Sequence, residues 1–161
     1  MIRSFIAIDF PGEIRKALEE IQRELKQCGA GVRWVKPHSI HLTLKFLGNI
    51  HSDQVDDIAL ALAQEIRDHP PITLRPAGLG AFPNLRKPRV IWVGMEGEVQ
   101  RLKEIQARVE NALEPLGFAR EKRVFRPHLT IGRVKDRRRL QSLGDAVATL
   151  DMEPFNSFDA D

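Results

Sequence analysis

Two short stretches carry the same chemistry in distant parts of a 161-residue chain: His41-Leu42-Thr43-Leu44 and His128-Leu129-Thr130-Ile131. A spacing of two is the period of a β-strand. In each copy imidazole and hydroxyl therefore emerge on one face, and leucine with its aliphatic neighbour on the other. One histidine on a half-exposed strand is ordinarily a surface group with water for a partner. Two matched copies change the expectation. If the segments around them are related by an approximate two-fold, both polar faces line one cleft and bring two imidazoles and two hydroxyls to a common centre. That set suits cleavage of a phosphodiester without a metal: one neutral imidazole acts as general base toward a nucleophile, and the other, protonated, as general acid toward the leaving oxygen. With an unperturbed pKa of ~6.5, histidine populates both forms near neutrality. The hydroxyls of Thr43 and Thr130 can donate to non-bridging phosphate oxygens. By the same two-residue period, Lys45 and Arg126 fall on the histidine faces, where they can offset charge growing in the transition state. Reaching oxygens on opposite sides of one phosphorus requires ring nitrogens roughly 5–7 Å apart.

These motifs need strands that are held down and elements that fold the two copies together. Ile2, Phe5, Ile6, Ile8 and Phe10 read as a buried first strand, after which Pro11 suits the opening turn of a helix. Ile14, Leu18, Ile21 and Leu25 then give that helix one apolar face, and Gly29 and Gly31 end it. Trp34 to Leu47 reads as extended chain interrupted at Pro37, with Ile40, Leu42, Leu44 and Phe46 toward the core. A second helix starts at Ser52 and carries Val55, Ile58, Ala59, Leu62 and Ile66 as far as His69-Pro70-Pro71. Strands are expected over 72–79 and 89–93, joined by the turn-rich AFPNLRKP. A third helix follows with Val99, Leu102, Ile105, Val109 and Leu113 inward, then a strand over 125–134 and a basic helix from about Asp136. Each His-Leu-Thr copy thus lies in a strand, behind a helix and a proline and ahead of another helix, so the chain reads as an α+β arrangement of two related lobes.

Composition narrows the function without deciding it. No apolar run approaches the ~18 residues of a membrane span, and the N-terminal MIRSFIAIDF has an acid within its apolar stretch and no small-residue cleavage site. The single Cys28 excludes an internal disulfide, so the cytoplasm is the expected compartment. Phosphate-cradling glycine loops, HExxH and acidic metal clusters are absent, and neither metal nor cofactor is expected. The net charge is only +3. Its distribution says more: basic residues bunch at 86–89, 120–126 and 133–139, which could present a cationic face to phosphates.

HLTL at 41–44 and HLTI at 128–131 resemble the paired motifs of the two-histidine phosphoesterases. VRWVKPHSIHLTLKFLG, GAFPNLRKPRVIWVG and FRPHLTIGRV together resemble the bacterial and archaeal RNA 2',3'-cyclic phosphodiesterases, long called 2'-5' RNA ligases, from about Ile2 to Phe158. The resemblance implies a bilobal α+β fold, two pseudo-symmetric lobes with antiparallel sheets around a central cleft and helices outside. It also implies hydrolysis of an RNA 2',3'-cyclic phosphate to a 2'-phosphate, with His41 as proton donor, His128 as proton acceptor, and Thr43 and Thr130 holding the phosphate. Residue chemistry alone leaves the two histidine roles interchangeable. RNA ends, transfer-RNA fragments among them, are the implied partners. A ligase-like reverse reaction is implied by microscopic reversibility, and a monomer is expected. The family pattern continues with further strand-forming sequence beyond FNSFDAD, which leaves Phe155 and Phe158 with little to pair them and a sheet edge open.

Other readings keep parts of this picture. An RNA-binding module without turnover would need only the cationic rim, and the same chemistry could serve a small cyclic nucleotide. Among the aromatic residues, Phe82, next to Pro83 in a turn, is the candidate for base stacking, whereas Trp92 within VIWV reads as core. His38, His51 and His69 lie at loops or helix ends and read as surface.

Overall fold

The computed structural model describes residues 1–160. Strands β1 (Ile2–Ile8), β2 (Val32–Trp34), β3 (Leu42–Ile50), β4 (Ile72–Phe82), β5 (Val90–Gly97), β6 (His128–Val134) and β7 (Phe158–Ala160) alternate with helices α1 (Gly12–Lys26), α2 (Gln54–Ile66), α3 (Val99–Leu113) and α4 (Leu140–Thr149). All strand pairs are antiparallel, in the order β1-β3-β6-β5-β4-β7, with β2 added on β6. The sheet is thus a pair β1-β3 and a group β6-β5-β4-β7 that meet at one residue pair, Leu42 with Leu129. They part there for a simple reason. The chain from Val32 to Leu42 runs along one edge of β6, pairing first as β2, stepping out in a 3₁₀ turn at Pro37–Ser39, and returning for a single pair before β3 passes the start of β6 and continues with β1 alone.

The apolar stripe of α1 is buried as its spacing predicts, with Ile14, Leu18, Ile21 and Leu25 in the core. Helices pack as pairs, α2 on α3 and α1 on α4, so that a helix from each half covers one from the other; α3 also lies against β3 and β4, and α4 against β4. One hydrophobic cluster runs through the whole molecule, with Leu42, Ile72, Leu74, Ile91, Val93, Leu129 and Ile131 as its strand contribution.

Two expectations are corrected by the packing. Phe155 and Phe158 have partners: both are buried, Phe158 packs on Phe10 with ring centroids 6.1 Å apart, and β7 pairs with Ile72–Leu74, closing the outer edge of β4. The last helix begins at Leu140, after the three arginines. The Asp136 carboxylate accepts the Arg138 N–H at 2.9 Å, and Arg139 takes a left-handed conformation, so this segment turns instead of winding.

Both motif strands contain a β-bulge at the last residue of the motif. In β3, Thr43 pairs with Ala7 and Lys45 with Ile6, which leaves Leu44 without an opposite; in β6, Thr130 pairs with Trp92 and Gly132 with Ile91, which leaves Ile131 over. A bulge shifts the inside-outside alternation by one residue. Beyond it, Lys45 and Gly132 turn to the core side, whereas Phe46 and Arg133 join the face of the histidines and threonines.

Candidate active site

Opposite residues of an antiparallel pair share a face, so the pairing of Leu42 with Leu129 fixes the relation of the two motifs. Extended one residue to either side, that antiparallel register sets His41 across from Thr130 and Thr43 across from His128. The histidines sit on the diagonal of this four-residue patch, a position for which Cβ atoms are about 7–8 Å apart. All four side chains are partly exposed, and the two leucines beneath them are fully buried. Leucine anchors and polar groups presented outward are what the two-residue period predicts.

Each imidazole is backed by one phenylalanine at the same distance. Phe5 lies 5.1 Å from His41 and Phe82 lies 5.1 Å from His128, measured between ring centroids, the second contact being edge to face. Phe82 also packs on Trp92 at 5.3 Å. Trp92 is therefore a correction to the sequence reading: as the strand neighbour of Thr130 it stands on the site's face, partly exposed, not in the core. Gly80 makes this possible, since a Cβ there would come within 2.3 Å of the indole.

The protonation geometry differs between the histidines. Nδ1 of His128 lies 2.6 Å from the Arg126 carbonyl oxygen, which can only accept, so Nδ1 carries a proton and in the neutral ring the lone pair is on Nε2. His41 faces Asp9 and Arg15. Burial first, and the Arg15 guanidinium second, pull its pKa below the ordinary histidine value, against the opposing pull of the Asp9 carboxylate. Asp9 is itself held below the usual carboxylate range by the Phe10 N–H and then by Arg15.

Lys45 does not belong to the site. The bulge at Leu44 turns it to the core, where Nζ lies 3.0 and 3.1 Å from the two Glu110 carboxylate oxygens and 2.8 Å from the Ala119 carbonyl, with both side chains 6% exposed. Arg126 is exposed just ahead of β6, and its carbonyl rather than its guanidinium is the group that touches His128.

Sequence reasoning missed the groups that hold the motifs in place. Arg15 of α1 donates to the Pro37 and Ile40 carbonyls at 2.7 and 2.9 Å, bonds Asp9 at 2.5 Å, and lies 4.4 Å above the Phe10 ring. Gln22, seven residues along the same helix, donates from Nε2 to the Val35 and Ile131 carbonyls at 2.6 and 2.9 Å. One helix thus clamps the residue before His41 and the residue after Thr130. A signal existed: Gln22 lies between Leu18 and Leu25 on the apolar stripe, and a buried amide in that position requires a partner.

Among the described residues, no group of three or more His, Cys, Asp or Glu side chains is placed to hold a metal ion, and no helix is long and apolar enough to cross a membrane.

Comparison with known proteins agrees with this architecture. A model of the LigT-like phosphoesterases matches residues 8–92 and again 93–157. The chain is 39% identical to an RNA 2',3'-cyclic phosphodiesterase of Thermotoga maritima, over 83% of this chain and 71% of that protein. To one of Archaeoglobus fulgidus it is 36% identical, over 98% and 86%. Among solved structures, a Thermus thermophilus protein, TT0787, superposes with a TM-score of 0.73 at 30% identity, covering 99% of this chain and 84% of that one. Escherichia coli LigT complexed with 3'-AMP gives 0.73 at 27%, covering 98% and 83%. The twice-matched model, its two halves each containing one His-Leu-Thr motif, makes the chain a member of the LigT-like phosphoesterase family.

Proposed function

We propose that this chain hydrolyses RNA 2',3'-cyclic phosphate ends to 2'-phosphates, using His41 and His128 and no metal. The observation that carries the reading is the crossed pairing of the motifs, which sets an imidazole and a hydroxyl at each end of one small patch. Water attacks phosphorus as His128 Nε2 takes its proton. The bond from phosphorus to O3' breaks, and His41 gives O3' a proton. The charge of the five-coordinate phosphorus is met by the hydroxyls of Thr43 and Thr130, with the Arg126 guanidinium at the rim. The Nδ1–H bond to the Arg126 carbonyl supports His128 as the base, because it selects the neutral tautomer whose Nε2 lone pair can accept a proton from water. The lowered pKa of His41 supports the donor role: a protonated His41 is a stronger acid than an ordinary imidazolium and transfers its proton more readily. Phe82, packed edge to face on His128, backs that imidazole on the side from which water enters.

By microscopic reversibility, a 5'-hydroxyl in place of water gives 2'-5' ligation. RNA ends, transfer-RNA fragments among them, are the partners, met by a monomer in the cytoplasm. The test is phosphorus NMR of the product from an oligonucleotide cyclic phosphate in excess EDTA. A 2'-phosphomonoester is expected, with a loss of about 10³-fold or more in His41→Ala and in His128→Ala. Full activity in the double histidine variant would overturn the reading.

A further inference from the structure

The site's face continues beyond His41 along aromatic rings that the hydrolytic steps do not use. Phe5 and Phe46 are cross-strand neighbours with ring centroids 6.2 Å apart, and Phe5 is itself 5.1 Å from His41. Phe46 is 68% exposed and Phe5 41%. Together with Arg3, Ser4 and Gly48 they line a concavity of about 360 Å³. Leaving two large rings in water is costly for a strand face. Phe46 is brought there by the bulge at Leu44, which otherwise would have left it on the core side. Arg3, alternate with Phe5 on β1, adds a cation that forms no salt bridge among the described residues. Exposed rings beside a free cation are how proteins grip single-stranded nucleic acid: bases stack and phosphates pair.

We propose that Phe46 and Phe5 form a stacking subsite for the base immediately upstream of the cyclic-phosphate nucleotide, with Arg3 meeting the phosphate that joins the two nucleotides. The proposal rests on the hydrolytic reading. There His41 protonates O3', so the terminal ribose lies on the His41 side and the RNA continues away from His128. Two ring-to-ring steps separate His41 from Phe46, which exceeds the reach of the terminal nucleoside and fits its upstream neighbour. The chain then distinguishes oligonucleotide ends from free cyclic mononucleotides without any contact at the reacting phosphorus.

The experiment compares kcat/KM of wild type, Phe46→Ala and Phe46→Trp on a 2',3'-cyclic mononucleotide and on a short oligonucleotide ending in the same nucleotide. Expected is a wild-type preference for the oligonucleotide that falls roughly 5- to 150-fold in Phe46→Ala, the worth of one base stack. The alanine variant keeps its mononucleotide rate, and tryptophan keeps the preference. Equal losses on both substrates, or an unchanged preference, overturn the proposal. A dimer that Phe46→Ala dissociates while oligonucleotide kinetics stay the same assigns the patch to a second copy and also overturns it. If wild type turns over neither substrate, the hydrolytic reading falls by itself. The subsite is then judged by binding of the same oligonucleotide, and equal Kd for wild type and Phe46→Ala rejects it.

Discussion

Lys45 separates a phosphate ligand from a structural ion pair by the behaviour of its double variant. Its ammonium is enclosed with the Glu110 carboxylate, both side chains 6% exposed, and its remaining hydrogen bond goes to the Ala119 carbonyl. Lys45→Met strands the carboxylate, and breaking a buried pair in this way costs about 3–5 kcal/mol. A domain of this size holds about 5–15 kcal/mol in total. At roughly 2–4 °C per kcal/mol, Tm should fall by roughly 6–20 °C. Lys45→Met with Glu110→Leu removes both charges, and such replacements are often neutral. Here the double variant still leaves the Ala119 carbonyl, the Glu121 N–H and the Gln106 amide without the partners they have now. At about 1–3 kcal/mol for each that stays dry, part of the loss remains. Urea unfolding with kcat/KM on a cyclic-phosphate oligonucleotide, measured on folded protein, reads both quantities. The double variant should be more stable than Lys45→Met and close to wild type in kcat/KM. A double variant that is stable but catalytically as poor as His41→Ala would refute the placement of Lys45 away from the phosphate.

The clamp on α1 and the charges beside His41 give two further tests. Gln22→Met keeps the volume but removes both donors, so kcat should drop about 10- to 100-fold, as for a shift near 1 Å in a reacting group, with KM within about threefold; unchanged kcat alongside a lowered Tm in a thermal melt would make the clamp purely structural. Asp9→Asn removes the carboxylate that raises the His41 pKa, and because the general acid must be protonated, the alkaline limb of the kcat/KM profile should move to lower pH; a limb that stays in place would dissociate it from His41.

How much of this was legible in the sequence depends on where local rules hold. The helical stripes were readable because α1 and α3 each bury one continuous face, so Ile14, Leu18, Leu102 and Leu113 fall where a 3.6-residue period puts them. The repeat was readable as well, because its two copies share a spacing of two that the strands preserve from His41 to Thr43 and from His128 to Thr130. The strand expected from Phe125 begins only at His128, since Gly94 is the last β5 residue to pair with β6 and its opposite is His128. Arg15 and Gln22 act across the chain on carbonyls of other elements, Gln22 reaching Ile131 at a sequence separation of 109, and no local pattern reports such a bond.

The misplacements of Lys45 and Phe46 have one cause, and it is repeated in the second copy. A strict two-residue alternation sends Lys45 to the phosphate and Phe46 to the core, but the unpaired Leu44 exchanges them, as the unpaired Ile131 exchanges Gly132 and Arg133. The two copies fill the exchanged positions differently because their surroundings differ. Behind β3 stands α3, whose Glu110 gives Lys45 a buried partner. Beside β6 runs β2, and a Cβ on residue 132 would meet the side chains of Val32 and Trp34 at 2.8 and 3.0 Å, so only glycine fits. On the open side, the first copy presents the ring of Phe46 and the second the guanidinium of Arg133, so the duplicated frame gives a cleft that is symmetric in its histidines and threonines and asymmetric at its two ends. On the proposed reading, that asymmetry supplies what identical motifs cannot: a physical distinction between the side that receives the RNA chain and the side from which water enters.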